Sequence, residues 1–158
     1  MNSWSEQAYI KASNSGASDV FGHSISLSDD GHTLAVSAMR EKSAAKGING
    51  DSSDNTMRES GAVYVFDRTG DSWSEQAYIK ASNTGLTHRF GNGIEISGSG
   101  QFLVVGAYYE RGGGSTVNSD GNADNKRWSG AAYIFSRTSG QWLEQAYLKA
   151  SNSEERIF

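Results

Sequence analysis

An internal repeat of 69 residues constrains the fold of this chain more than any other feature of the sequence. The segment from Ser3 to Asn14 returns without a mismatch from Ser72 to Asn83, and a close variant runs from Gln141 to Asn152. A repeat of this length is a supersecondary unit that buries its hydrophobic face against neighbouring copies. The period therefore predicts a row of similar units stacked on one another.

The composition fits a globular chain with long polar loops. The sequence is 36% hydrophobic and carries a formal net charge of -4, so electrostatics give no support for binding to nucleic acid. No run of residues approaches the roughly 20 apolar residues needed to cross a bilayer, so we expect no membrane insertion. With no cysteine, disulfides, thiolate metal sites and thiol catalysis are excluded.

Four short β-type runs are predicted in each unit, and no segment has a convincing helical period. In the first copy they are His23–Ser28, Thr33–Ala38, Gly61–Phe66 and Trp73–Ala81, joined by glycine turns and by one long polar loop. Four antiparallel strands per repeat are typical of one blade of a β-propeller. We therefore predict an all-β fold of four-stranded propeller blades.

The repeat divides the chain into two full blades with flanking pieces. Residues 1–14 are predicted to be the outer strand of a preceding blade, with the strand itself at Trp4–Ala12. Residues 15–83 form the first blade, residues 84–152 the second, and residues 153–158 begin a third repeat. Closed propellers have about 4 to 8 blades. The expected partners are therefore other copies of this chain or further blades of a longer chain.

Two short motifs occur in the same order in both copies. They are Phe21 and Gly22 with Val36-Ser37-Ala38, then Phe90 and Gly91 with Val105-Gly106-Ala107, and the first copy continues with the third-strand run Gly61–Phe66. With these motifs the chain resembles the FG-GAP repeats of the integrin α-subunit β-propeller and its bacterial relatives. The resemblance implies protein binding, cell adhesion and a secreted or cell-surface location, although the N-terminal residues lack the features of a signal peptide. The final proline of the motif is replaced by Met39 and Tyr108.

The same resemblance implies calcium as a possible cofactor, bound in the turn between strands one and two. A calcium site needs several carboxylate or amide oxygens that converge on the ion. Here the turn offers Ser26, Ser28 and Asp30, and Leu34 stands where a closing aspartate belongs. The second copy has no carboxylate in this turn. The usual calcium motif of the family is therefore absent.

The long loop of the second copy contains a different candidate metal site. Asn118, Asp120, Asn122 and Asp124 occupy every second position, a spacing that can direct oxygen atoms towards one cation. The alternative is a solvated loop held by side-chain hydrogen bonds to its own backbone. The sequence favours this alternative, because no closing acidic residue stands at a suitable distance.

Aromatic residues give two further hypotheses. Trp4, Trp73 and Trp142 recur with the repeat, which favours a structural role between blades over a role as sugar-stacking platforms. Trp128 has no counterpart, since Glu59 stands at the matching position of the first copy. We therefore expect a ligand contact from Trp128, and Tyr108 and Tyr109 are further candidate ligand contacts because their rings offer surfaces for sugar stacking.

The function predicted from these features is a non-enzymatic binding or scaffold module that recognises a protein or glycan through its two long loops, Arg40–Glu59 and Glu110–Arg127. The three histidines show no metal-ligand spacing and do not recur, and no acid/base pair is clustered, so we expect no enzyme. Two alternatives remain: a carbohydrate-binding, lectin-like propeller, and a partial propeller domain of a larger secreted hydrolase.

Overall fold

The computed structural model describes residues 3–153, and it contains two four-stranded antiparallel sheets. In each sheet the strands pair in chain order, β1-β2-β3-β4 and β5-β6-β7-β8. None of the described residues forms a helix that could cross a membrane. The strands are β1 Phe21–Leu27, β2 Thr33–Ala38, β3 Ala62–Thr69, β4 Ser72–Ile79, β5 Gly93–Ile96, β6 Phe102–Ala107, β7 Ala131–Thr138 and β8 Gln141–Leu148.

This arrangement confirms the predicted all-β fold of two blades. We call the sheet β1–β4 blade 1 and the sheet β5–β8 blade 2. The second strand of each blade has the bounds that its alternating pattern predicts. The third strand of blade 1 runs three residues beyond Phe66, because Arg68 and Thr69 pair with Trp73 and Ser72 across a tight turn.

The two blades pack face to face and share one hydrophobic core. Strands β1 and β2 of blade 1 contact β5 of blade 2. Small and branched side chains of blade 1 meet a mostly aromatic face of blade 2, and burying these surfaces stabilises the pair. The blade 1 side chains include Ala35, Val63, Val65 and Ile79, and those of blade 2 include Phe90, Leu103, Tyr133, Phe135 and Trp142.

The Phe-Gly pair at the start of blade 2 closes this junction. Phe90 is fully buried and meets Tyr133 edge to face, with 5.2 Å between the ring centroids. Gly91 has a φ of +89°, and a Cβ atom there would lie 2.9 Å from the Cβ of Ser37 in blade 1. Only glycine combines this backbone conformation with so close an approach between the blades.

A buried carboxylate anchors the start of the long loop in blade 2. Glu110 accepts hydrogen bonds of 2.7 Å from Lys149 at the end of its own blade and 2.7 Å from Asn83 at the end of blade 1. Its ion pair with Lys149 is buried, which suits a charge only when it is paired and hydrogen-bonded. Blade 1 repeats the arrangement with Glu41, Lys80 and Asn14.

The segment Trp4–Ala12 forms no strand in the described structure, and its place as the outer strand of a preceding blade remains a prediction. It nevertheless lies on blade 1 much as the end of blade 1 lies on blade 2. Ser13 donates a 2.9 Å hydrogen bond to Glu75, just as Ser82 donates one of 2.9 Å to Glu144. Among residues 3–153, no strand lies beside this segment to pair with it. Residues 154–158, which were predicted to begin the third repeat, lie outside the described residues.

Each blade keeps one face that no other blade covers. Val104 in blade 2 is 42% exposed, whereas its blade 1 counterpart, Ala35, is fully buried against blade 2. On the opposite side of the pair, Ile25 and Leu27 of blade 1 are also exposed. The chain therefore presents an apolar sheet face at both ends of the two-blade stack.

Candidate ligand-binding face

The long loops and the connections between blades meet at one end of the two sheets. In this region Tyr108, Tyr109 and Trp128 form one continuous stack. The ring centroids of Tyr108 and Tyr109 are 4.0 Å apart, and those of Tyr109 and Trp128 are 5.4 Å apart. The rings are tilted by 31° and 37°, close to an offset-stacked arrangement. The structure thus brings together the three residues proposed as ligand contacts from the sequence.

Arginine side chains hold this stack at the junction between the blades. Arg89 forms an ion pair of 2.7 Å with Glu59 of blade 1 and donates a 2.7 Å hydrogen bond to the Tyr108 hydroxyl. Its guanidinium carbon also lies 4.8 Å from the centroid of Tyr109. At the other end of the stack, the guanidinium carbon of Arg127 lies 4.3 Å from the centroid of Trp128. Both distances are typical of cation–π contacts.

The local electrostatic field is set by arginines that surround one carboxylate. The hydrogen bond from Arg89, together with the charges of Arg89, Arg40 and Arg58, holds the pKa of Glu59 below its usual range, although burial opposes this shift. Glu59 is therefore ionised at neutral pH, and its ion pair links the two blades. This contribution to stability is present above the ordinary carboxyl pKa and is lost only as the pH falls through the lower folded-state value.

The backbone at these positions adopts an uncommon conformation. Glu59, Arg89 and Trp128 have φ values of +52°, +54° and +61°, in the left-handed region that few residues other than glycine occupy. Val20, the counterpart of Arg89 in blade 1, has a φ of +61°. The same backbone conformation thus occurs at the ion pair between the two blades and at Val20 and Trp128, which lie at the two outer ends of the blade pair.

The alternating Asn/Asp loop has its side chains directed to different partners. The Asn118 amide oxygen accepts a 2.9 Å hydrogen bond from the Tyr147 backbone, and Asp120 accepts one of 2.9 Å from the backbone of Asn122. Asp124 lies 3.6 Å from Arg111. Within residues 3–153, no three His, Cys, Asp or Glu side chains group as a metal site would require. Metal binding by this loop remains a prediction.

The turn between the first two strands uses its only candidate ligand carboxylate for its own structure. Asp30 accepts a hydrogen bond of 2.6 Å from the Ser28 hydroxyl and one of 2.9 Å from the His32 backbone. These hydrogen bonds lower the pKa of Asp30. The carboxylate thus supports a short turn, and this role explains its presence without a metal.

A polar cavity of about 430 Å³ separates the long loop of blade 2 from the end of blade 1. Its wall includes Asn83, Asn118, Asp120, Glu144 and Tyr147. Burial raises the pKa of Glu144. One of its carboxylate oxygens, Oε1, accepts a hydrogen bond from the Ser82 hydroxyl. Amide, carboxylate and phenol groups give this cavity both hydrogen-bond donors and acceptors.

A buried histidine lies beside this cavity. His88 is 4% exposed, and neither of its ring nitrogens has a hydrogen-bond partner. The nearest carboxylate oxygen, on Asp124, is 3.8 Å from its Nε2 atom, beyond hydrogen-bonding distance. Burial lowers the pKa of His88, so the ring is neutral at neutral pH.

The recurring tryptophans differ in their surroundings. Trp142 is buried in the core between the two blades, and Trp73 is partly buried against the outer core of blade 1. Trp4 is fully exposed. Only the tryptophan that faces a complete neighbouring blade, Trp142, is thus fully buried among the three.

Comparison with known protein families agrees with this architecture. The model of the FG-GAP repeat matches residues 4–66 and again residues 73–135, well over half of the chain. The chain belongs to the FG-GAP repeat family. No curated protein matches it. Each FG-GAP match begins at a recurring tryptophan, Trp4 or Trp73, and ends within the third strand of the following blade.

The FG-GAP motif residues lie where they shape the junctions. Phe90 and Gly91 form the contact with blade 1 described above, and Phe21 meets Tyr64 edge to face at 5.4 Å in the first repeat. Gly106 and Ala107 end strand β6, directly before the aromatic stack begins.

Sequence reasoning did not identify Arg89 as part of this face, and it included Arg40 and Arg58 only as members of the long loop Arg40–Glu59. Arg89 is distant in sequence from both of its partners, so no local pattern links them. One signal was available, because Arg89 replaces an apolar residue, Val20, at the matching position of the other repeat. The same comparison between repeats had identified Trp128.

Proposed function

We propose that this FG-GAP protein is a non-enzymatic binding and scaffold module of the adhesion type. Its ligand is recognised at the loop face, around the stack of Tyr108, Tyr109 and Trp128. The observation that carries this proposal is the assembly of these three rings in blade 2 alone. Blade 1 has Met39, Arg40 and Glu59 at the same positions.

The pattern of variation between the two repeats supports this proposal. The strands change less between the copies than the long loops Arg40–Glu59 and Glu110–Arg127 do. Loops on a rigid repeat scaffold are where recognition is usually located. The buried pairs of Glu110 with Lys149 and of Glu41 with Lys80 fix the start of each loop, so the face is held in place before a ligand arrives.

A variant that replaces the stack with the blade 1 residues tests the proposal. The change Tyr108→Met, Tyr109→Arg and Trp128→Glu gives blade 2 side chains that blade 1 already tolerates at these positions. We expect the wild type to bind members of a glycan array or of an array of extracellular protein fragments, and the triple variant to lose those signals. Circular dichroism and a thermal melt establish that the variant is folded.

A matched control changes exposed apolar side chains away from this face. Ile25→Ser and Leu27→Ser lie on the free face of blade 1, and they should leave the array signals unchanged. If the triple variant keeps every signal of the wild type, the proposed site is wrong.

A lectin-like function is the second candidate, and the polar cavity beside the stack favours it. Amide and carboxylate groups from Asn83, Asn118 and Asp120 face a volume of about 430 Å³, and sugar hydroxyls pair with such groups. The change Asp120→Ala should then weaken binding to a glycan identified on the array. Binding of that glycan at wild-type strength would exclude the cavity as its site.

We further propose that the free sheet faces are covered by further blades of the same kind. These blades come from other copies of the chain or from additional repeats. The support is the 42% exposure of Val104, compared with complete burial of its counterpart Ala35 at the existing junction. Exposed apolar surface of this kind favours association.

A further inference from the structure

The loop face concentrates positive charge on a protein that is acidic as a whole. Arg40, Arg58 and Arg89 surround the single carboxylate of Glu59, and Arg127 packs on Trp128 at the other end of the stack. Four guanidinium groups and one carboxylate leave three positive charges here, while the chain carries a formal net charge of -4. We call these arginines, together with Tyr108, Tyr109 and Trp128, the arginine–aromatic patch.

The patch is organised before any ligand binds. Arg89 is fixed by its ion pair with Glu59, its hydrogen bond to Tyr108 and its contact with Tyr109. Arg127 rests on the Trp128 ring. Planar guanidinium groups that are already positioned lose little side-chain entropy when they bind carboxylates in a bidentate manner.

Two of these arginines have binding capacity directed outwards. The side chain of Arg58 is 76% exposed and contacts Glu59 at only 3.3 Å. Arg127 is exposed as well. Glu59 cannot neutralise all of these groups, so anionic groups from outside the chain would complete them.

We infer that the arginine–aromatic patch binds an acidic polysaccharide whose sugar rings carry carboxylates; this inference rests on the proposed binding function of the loop face. Uronate carboxylates pair with guanidinium groups, and the apolar faces of sugar rings pack beside aromatic side chains. Every residue of the patch lies outside the strands, so it offers no strand edge to which a peptide backbone could add. The chemistry therefore favours an acidic glycan over an acidic peptide.

Three polymers distinguish the possible ligands in titration calorimetry with the full chain. Polygalacturonate supplies sugar rings with carboxylates, dextran supplies neutral sugar rings, and polyglutamate supplies carboxylates without sugars. We expect binding to polygalacturonate that weakens as salt is raised from 50 to 200 mM, as for other charge-assisted contacts. Dextran should give no heat, and polyglutamate should bind at least tenfold more weakly than polygalacturonate.

Variants locate the binding to the patch. Arg127→Gln and Arg58→Gln should each weaken polygalacturonate binding about tenfold, because each removes a hydrogen bond between charged groups. Lys11→Gln is the matched control. It removes the same charge from an exposed position on the N-terminal segment and should leave the affinity unchanged. Melting temperatures of all three variants show whether each one is folded.

Three results would overturn the inference. Equal affinity for polyglutamate and polygalacturonate would mean that charge alone is recognised, and no loss in either arginine variant would place binding elsewhere. Absence of any polyanion binding would also overturn it. In that last case, the binding function itself would still be supported by any array ligand that binds the wild type and does not bind the Tyr108/Tyr109/Trp128 triple variant.

Discussion

At the scale of single residues, His88 makes the stability of this protein depend on pH. The ring is buried and has no hydrogen-bond partner, and burial lowers its pKa. The unfolded chain therefore binds a proton more readily than the folded chain once the pH falls below about 6.5, the ordinary imidazole value. We expect the free energy of unfolding to fall between pH 7 and 5, by at most about 1.4 kcal/mol per pH unit from this group.

Urea denaturation at several pH values checks this expectation with His88→Asn as the comparison. Asparagine does not titrate, and blade 1 has a side chain of similar shape, Asp19, at the matching position. The variant should lose the part of the pH slope that His88 produces between pH 7 and 5. Glu59 acts only at lower pH, below its ordinary value near 4.3. Parallel slopes for the two proteins would contradict the assignment.

Comparison of the two repeats predicted part of the candidate site. Trp128 was identified because it does not recur, Tyr108 and Tyr109 were named as candidate stacking surfaces, and the structure stacks all three together. The sequence could not show that Arg89 joins this stack, since about 20 residues separate it from Tyr108 and Tyr109. Nor could it show that Asn118 bonds to the backbone of Tyr147, because a polar loop residue has many possible partners.

At the scale of structural elements, the two Phe-Gly turns provide a matched pair for measuring the blade junction. Gly22 and Gly91 have φ values of +90° and +89°, but only Gly91 faces a neighbouring blade. Gly22→Ala should cost about 1–2 kcal/mol from backbone strain alone. Gly91→Ala should cost about 1–3 kcal/mol more, because the new Cβ atom would overlap Ser37.

Chemical denaturation of both variants gives the difference directly. Gly22 has no atom within 4 Å of its virtual Cβ, so it reports only the backbone term. Equal losses in the two variants would show that the blades separate easily enough to accept the extra methyl group. That result would contradict the tight junction described here.

Element prediction succeeded where a strand has its partner within the chain. The alternating pattern located β2 and β6 because both strands lie in the centre of a sheet. The segment Trp4–Ala12 has the same sequence as the corresponding part of β4, but it forms no strand. The local sequence makes this segment able to pair in a sheet. It forms a strand in β4 because β3 lies beside it there.

At the scale of the whole molecule, the exposed face of blade 2 should control association. Val104 lies at the position that Ala35 occupies in the existing junction, so a charge there would have to be buried without a partner. We expect the wild type to show a mass above that of one chain in light scattering. Val104→Lys should shift the population towards the single-chain mass at equal concentration.

Val117→Lys is the control for this experiment. Val117 is exposed on the long loop, away from the free sheet face, so the same change in charge should leave the mass unchanged. A wild-type protein that is folded and has the mass of one chain at all concentrations would contradict association through this face.

The anchoring of Glu110 by Asn83 has a consequence for engineering modular chimeras of this protein. Asn83, which binds Glu110 of blade 2, lies at the end of the first sequence repeat. The boundaries of the sequence repeat therefore do not coincide with those of the structural unit. A transplant that joined a foreign repeat directly after Ile79 would remove Asn83, which is the cross-blade partner of Glu110, and also Lys80, which is the partner of Glu41 within blade 1. Grafts should therefore carry Ser82 and Asn83 with the module that follows and leave Lys80 with blade 1.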